Sequence, residues 1–381
     1  MTIKKILLVF GTRPEAIKMA PLALALKKHS HLIETKVCVT AQHREMLDQV
    51  LEIFDIQPDF DLNIMKVNQD LYDITGKILN GIKIVLSEYK PDMVFVHGDT
   101  TTAFTTALGA FYNKITIAHV EAGLRSGNIY SPWPEEANRK MITQLSTYNF
   151  TPSQKSKENL LAENVKKESI YITGNTVIDA LFFVLSNIKN DKQLEDRIKR
   201  EITTVYADFS IRSKFILITG HRRENFGEGF IHICQAIKEL ASRYKDIDFI
   251  YPVHLNPNVQ EPVFRLLEEE KNIYLIKPME YEAFVYMMSK AYLILTDSGG
   301  IQEEAPSLGK PVLLMREHSE RPEAIESGIV RLVGNDKEKI IKEVSALCDD
   351  SAHYEAMSRC INPYGDGTAA EQIVEVILNT L

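Results

Sequence analysis

Three carboxylates in the first half of the chain stand where loops follow apolar runs or open helices. Asp99 lies in His97-Gly98-Asp99-Thr100-Thr101-Thr102, directly after the run Met93–His97. Glu121 belongs to His119-Val120-Glu121-Ala122-Gly123-Leu124-Arg125, again at the end of an apolar run. Glu135 follows Pro132-Trp133-Pro134, where two prolines flank the only tryptophan and stiffen a loop ahead of a helix. Taken singly, each has a structural explanation. Asp is a preferred helix N-cap, and Glu135 and Glu136 suit the positive end of a helix dipole. Taken together, they gather at one rim of a sheet. Carboxylates crowded into a cleft have their pKa values driven apart, which separates a general acid from a general base.

A second set of residues suits an anion. In Gly11-Thr12-Arg13-Pro14-Glu15-Ala16-Ile17-Lys18 the glycine permits a close approach and the proline fits a first helical turn. Arg13 and Lys18 beside the N–H groups of that turn would hold an anionic ligand; two solvated cations on a capped helix account for them equally well. Gly220-His221-Arg222-Arg223-Glu224-Asn225 follows Phe215–Thr219 and suits a phosphate or diphosphate. Thr296-Asp297-Ser298-Gly299-Gly300-Ile301-Gln302-Glu303-Glu304-Ala305 reads as a strand, a Ser-Gly-Gly turn and a helix start whose free N–H groups face an anion. Glu304 is then placed for ribose hydroxyls, and Arg321 for closing the same pocket. The chain has neither GxGxxG nor GxxxxGK[ST], so NAD and ATP are not the expected ligands.

Loops of this kind need parallel strands behind them. Ile6–Phe10, Thr35–Thr40, Met93–His97, Ile115–Val120 and Ile170–Ile172 are short apolar runs in the first half. Phe215–Thr219, Phe249–Val253, Ile273–Ile276, Leu293–Thr296 and Val312–Met315 follow in the second. Helical stretches, such as those near Glu15–Lys28 and from Thr101, separate them. Continuous apolar strands between helices indicate parallel sheets covered on both faces, so an α/β chain of two doubly wound domains is expected. The boundary is placed at 173/174, giving domains 1–173 and 174–366.

Composition agrees and excludes other classes. At 381 residues the chain is long enough for two or three domains. Lys and Arg total 44 against 52 acids, a net charge of −8, so a basic nucleic-acid-binding field is not expected. No apolar run reaches the ~18–20 residues of a membrane span. The apolar start after Lys4-Lys5 is too short for a signal peptide and reads as a buried strand. Cys38, Cys234, Cys348 and Cys360 form no metal-like spacing, which fits core thiols in a reducing, cytoplasmic compartment.

The motifs also carry a family resemblance. GTRPEAIKMAPL (11–22), AQHREML (41–47), HGDTTT (97–102), HVEAGLR (119–125), PWPEEANR (132–139), GNTVIDAL (174–181), GHRRE (220–224) and DSGGIQEEAPSL (297–308) are similar to the bacterial non-hydrolysing UDP-N-acetylglucosamine 2-epimerases. The resemblance runs through essentially the whole chain, in order. It implies two Rossmann-like domains in a glycosyltransferase-B-type architecture, with the active site in an interdomain cleft and a C-terminal helix, 367–381, packing back on the first domain. The implied reaction interconverts UDP-N-acetylglucosamine and UDP-N-acetylmannosamine with no cofactor or metal. UDP is eliminated in the anti sense to give a 2-acetamidoglucal and is then added back. By the same resemblance Asp99, Glu121 and Glu135 are the acid/base carboxylates, in an order left open, and His221 sits by the diphosphate. Arg13, Lys18, Ser298, Gly299, Gly300, Glu304 and Arg321 match UDP-holding positions. Phe284 matches an aromatic near the uracil, and Met279 stands where some relatives carry glutamine. A UDP-sugar partner, a homodimer, and a supply of precursors for cell-surface polysaccharide are implied as well.

Overall fold

The computed structural model describes residues 3–41, 44–66, 69–205 and 214–380. Gln42 and His43, within the AQHREML motif, lie outside them. The chain divides into two compact units. Unit 1 is Met1–Phe182 with Tyr364–Leu381, and unit 2 is Phe183–Pro363.

Unit 1 is built on seven strands: β1 (Lys4–Phe10), β2 (Ile33–Val39), β3 (Phe60–Asp61), β4 (Met93–His97), β5 (Thr116–Val120), β6 (Tyr148–Thr151) and β7 (Ile170–Ile172). They lie in the order β3-β2-β1-β4-β5-β6-β7, and all pairs are parallel. Ile6–Phe10 is wholly without solvent exposure, as a strand covered by helices on both faces must be. On one face Leu7, Val9, Val94 and Val96 pack with Ile78, Ile82, Val85 and Leu86 of helix Leu71–Tyr89. The strand order reverses between β1 and β4. Loops diverge at such a switch point and leave a crevice at the strand C-termini.

Unit 2 repeats the plan with β8 (Phe215–Thr219), β9 (Asp248–Pro252), β10 (Ile273–Ile276), β11 (Leu293–Thr296), β12 (Val312–Leu314) and β13 (Val330–Leu332). Their order is β10-β9-β8-β11-β12-β13, again parallel, with the switch between β8 and β11. Ile216, Ile218, Phe249, Tyr251 and Leu295 pack there with Phe230, Ile233 and Ile237 of helix Glu228–Arg243. Each unit is a doubly wound, Rossmann-like α/β sheet.

Three strands were not legible as apolar runs. β3 has two residues, and β6 and β13 carry Asn149 and Arg331 inside four- and three-residue segments. Edge and near-edge strands need less apolar surface, so their signal is weak.

The units part inside helix Thr176–Asn190 rather than at 173/174. The reason is local. Asn175 N–H donates to Tyr364 O at 2.8 Å. Asp179 accepts from Ala369 N and Ala370 N at 3.3 and 2.8 Å. The start of that helix is thereby tied to the returning C-terminal segment, whose helix Ala369–Leu378 packs against helix Arg13–Lys27. Among the described residues no helix is long and apolar enough to cross a membrane. The four cysteines are free thiols, with Cys38 and Cys234 buried.

Candidate active site

In unit 1 the groups of interest follow β1, β4 and β5. The loop after β1 is tightly packed: a Cβ on Gly11 would lie 2.0 Å from Thr40 Oγ1 and 2.6 Å from Thr102 Oγ1. Thr12 caps helix Arg13–Lys27 and Glu15 completes a capping box, with Pro14 in the first turn. Arg13 is partly exposed, whereas Lys18 is nearly buried. The Lys18 ammonium forms an ion pair with Glu121 Oε2.

Parallel pairing of His97 with Val120 places the loops carrying Asp99 and Glu121 side by side. Glu121 has φ +62°, a left-handed backbone uncommon for a non-glycine residue, which points its carboxylate back towards the β4 loop. His97 Nε2 lies 3.8 Å from Glu121 Oε2, and Asn175 Nδ2 donates to the same oxygen at 2.7 Å. His119 Nε2 donates to Gly98 O at 2.7 Å. Burial pushes the His97 and His119 imidazoles down to about 3 and about 4, so both are neutral at neutral pH.

Asp99 is not a helix cap. Thr100 takes that place, its Oγ1 accepting from Ala103 N at 3.0 Å. The Asp99 carboxylate instead accepts from Arg139 Nε at 2.9 Å, with Nη2 at 2.6 Å. Arg139 also donates to Glu136 Oε2 at 3.1 Å. Burial opposes that guanidinium's charge, but Asp99 and Glu136 outweigh it and raise its pKa. Glu136 is fully buried and accepts from Ser126 N at 3.0 Å, so it serves the scaffold. Glu135, its neighbour on helix Glu135–Leu145, has a buried Oε2 with no hydrogen-bond partner among the described residues. Glu136 Oε1 is buried and unpaired in the same way, so it is the second oxygen of Glu136, bonded to Ser126 and Arg139, that distinguishes the two neighbours.

Glu15 escaped the sequence reading except as a helix start. Its carboxyl accepts from Thr100 Oγ1 at 2.7 Å, Thr12 Oγ1 at 2.8 Å, Thr12 N at 2.9 Å and Gly11 N at 3.1 Å. It thus joins the β1 and β4 loops. Burial drives its pKa up to about 7, although these four donors pull the other way. An acid raised in the folded state binds its proton more tightly there than in the unfolded chain. Its contribution therefore favours folding at low pH and is lost as pH rises from the usual carboxylate range through about 7. Glu15→Gln, which keeps a capping-box partner, should flatten that decline. Urea denaturation of both proteins at pH 5.5 and 8 checks this, and parallel pH slopes would refute it.

In unit 2 the pairing of Thr219 with Thr296 brings the loops after β8 and β11 together. Asp297 is fully buried between them. Its Oδ2 accepts from His221 N and Arg222 N, both at 2.8 Å, and from Asn225 Nδ2 at 3.4 Å. Its Oδ1 lies 3.4 Å from His221 Nδ1. The His221 ring stacks on His254 with centroids 5.6 Å apart, and burial lowers its pKa despite Asp297.

The Ser298-Gly299-Gly300 turn begins with Ser298 N bonded to Thr296 Oγ1 at 2.9 Å. Guanidinium groups cover it: a Cβ on Gly299 would lie 2.8 Å from Arg321 Nη1 and 3.5 Å from Arg222 Nη2. Arg321 Nε donates to Glu303 Oε1 at 2.5 Å and Nη1 to Glu320 Oε1 at 2.9 Å. Burial opposes ionisation of Glu320, but Arg321, Arg316 and Arg222 hold its carboxyl at about 2. Gly300 starts helix Ile301–Ser307, on which Glu304 is nearly buried. Phe284 is half-buried on helix Tyr281–Lys290, which leads into β11.

Within unit 1 the structure brings Lys18 to Glu121, and places Asp99 one loop away. Within unit 2 it gathers His221, Ser298, Gly299 and Arg321. The partners Glu15, Arg139, Asn175 and Asp297 were in quoted motifs, yet only the strand order reveals what they bind.

Two parallel, doubly wound sheets in one chain, each with its polar groups at the strand C-termini, define a protein of the glycosyltransferase-B class. Residues 24–378 match the family model described as UDP-N-acetylglucosamine 2-epimerase. The chain belongs to that family, a family of isomerases. It is 61% identical over 376 residues to the UDP-N-acetylglucosamine 2-epimerase of Campylobacter jejuni, covering 99% of this chain and 98% of that protein. A crystal structure of UDP-GlcNAc 2-epimerase from Neisseria meningitidis bound to UDP-GlcNAc superposes with TM-score 0.90 at 53% identity, covering 98% of this chain and 100% of the other. The Methanocaldococcus jannaschii UDP-GlcNAc 2-epimerase in complex with UDP-GlcNAc and UDP superposes with TM-score 0.81 at 34% identity, covering 98% and 99%.

Proposed function

We propose that this chain interconverts UDP-N-acetylglucosamine and UDP-N-acetylmannosamine by anti elimination and re-addition of UDP. The observation that carries the reading is the pair Asp99 and Glu121 at the carboxyl ends of β4 and β5, each paired to a cation, with Glu135 opening the helix whose Asn138 and Arg139 bond Asp99. A positioned carboxylate takes the C2 proton while the C1–O bond to the diphosphate breaks, its electron pair leaving with UDP. The C1–C2 double bond of 2-acetamidoglucal remains. UDP oxygen then re-attacks C1 as an acid returns a proton to the opposite face of C2. In unit 2, Arg321, the Ser298-Gly299-Gly300 turn and His221 hold the UDP and spread the charge growing on it. Arg13 and Lys18 supply cations in unit 1, and in unit 2 Glu304 binds the ribose and Phe284 packs near the uracil. The bound UDP-GlcNAc of the two crystallised relatives supports this assignment of substrate.

The elimination makes C2 exchange with solvent. In deuterated water, with UDP-N-acetylglucosamine and no acceptor, proton NMR should show deuterium at C2 of both epimers. Turnover without label would overturn the elimination, and release of free sugar would indicate a hydrolase. The same reading places the protein in the cytoplasm, supplying polysaccharide precursors, as a homodimer. Exposed Ile84, Phe111 and Tyr112 on the neighbouring helices Leu71–Tyr89 and Thr101–Tyr112 support a second copy as partner.

A further inference from the structure

Asn175 lies in the turn between β7 and helix Thr176–Asn190 and is 2% exposed. Two hydrogen bonds of its side chain have separable roles. Oδ1 accepts from Val177 N at 3.1 Å, a helix-capping contact, and Nδ2 donates to Glu121 Oε2 at 2.7 Å. Its backbone is anchored independently, through its N–H to Tyr364 O. That anchorage needs glycine beside it. Gly174 has φ +83°, and a Cβ there would lie 2.8 Å from Tyr364 O and 3.2 Å from Gly365 Cα. Tyr364 is the residue at which the chain re-enters unit 1. The Asn175 amide and the Lys18 ammonium therefore converge on one oxygen of Glu121, the amide from an anchored backbone.

We infer that Asn175 is a positioning residue for the epimerisation, its side-chain amide orienting the Glu121 carboxylate for proton transfer. The inference rests on the reading of Glu121 as an acid/base group. An amide is the side chain that can cap a helix with its oxygen while donating to a carboxylate with its nitrogen. It also adds no charge beside the Lys18–Glu121 pair.

Serine and aspartate cap helices as well as asparagine does, but the serine hydroxyl is one bond too short to reach Glu121 from the cap, and the aspartate carboxylate has no proton to donate. Asn175→Ser removes the donor to Glu121, and Asn175→Asp sets an acceptor against it. With the cap intact, the serine variant should lose about 10–100-fold in kcat, the scale of a misplaced catalytic group, and the aspartate variant more. KM for UDP-N-acetylglucosamine and the affinity for UDP should stay within about two-fold, because substrate binding in the ground state is untouched. Melting temperatures should match the wild type. Unchanged kcat in both variants overturns the inference, as does a kcat loss that merely tracks a fall in melting temperature. Glu121→Gln, measured alongside, separates the two readings. If it turns over normally, or if the wild type exchanges no C2 proton, the acid/base assignment fails. If it is inactive while Asn175→Ser is normal, only the positioning role fails.

Discussion

Asp99→Asn is expected to lower turnover by ~10²–10⁴-fold, the usual contribution of a positioned proton-transfer group. The substitution isolates chemistry because the surroundings tolerate an amide. Thr100, not Asp99, caps helix Thr101–Tyr112, so the helix start is untouched. Asn138 bonds the backbone carbonyl of Asp99 and keeps its partner. Arg139 can still donate to the amide oxygen, and it retains Glu136. Folding stability should therefore change little, and UDP affinity, in which the proposal gives Asp99 no part, should be preserved. kcat and kcat/KM should fall together, the signature of an interaction made in the transition state. The deuterium exchange at C2 should fall with them. Turnover near the wild-type rate would remove Asp99 from the proton chemistry and leave it a partner of Arg139 alone.

Asp297→Ala should be the most destabilising single change in the loops of unit 2. Its carboxylate is fully buried and accepts the backbone N–H groups of both His221 and Arg222. Truncation leaves those two donors unsatisfied at about 1–3 kcal/mol each, a loss of roughly 2–6 kcal/mol in all. Asp297→Asn retains an acceptor oxygen and should cost less. Because the same bonds fix the loop after β8, the alanine variant should also lose UDP affinity through His221. Chemical denaturation together with UDP titration measures both effects. Stability within about 1 kcal/mol of the wild type would mean that water replaces the carboxylate and that the loop is not held as described.

Much of this fold was legible because buried parallel strands are continuous apolar runs. Met93–His97, Phe215–Thr219, Ile273–Ile276 and Leu293–Thr296 are strands with those bounds. β6, with Asn149 at its centre, and β13, with Arg331, lacked that signal and were recovered only by their pairing. The boundary near 173/174 was drawn from local composition. The division inside helix Thr176–Asn190 depends instead on bonds to Tyr364, Ala369 and Ala370, nearly two hundred residues away.

The site divides in the same way. Residue types at strand ends, glycine turns with nearby cations, and acids ahead of helices are local facts. They sufficed to select Asp99, Glu121, Glu135, His221, Ser298 and Arg321 and to exclude NAD and ATP as expected ligands. Pairing is not local. That Lys18 faces Glu121, that Arg139 rather than the next helix engages Asp99, and that Asp297 ties down the loop of His221 all follow from the strand order. In each sheet that order reverses beside the first strand, β1 in unit 1 and β8 in unit 2. The sequence alone determined which groups are available for the chemistry. The tertiary structure decided which group each one holds, because hydrogen bonds and ion pairs depend on ångström distances between loops that the sheet, and not the chain, makes neighbours.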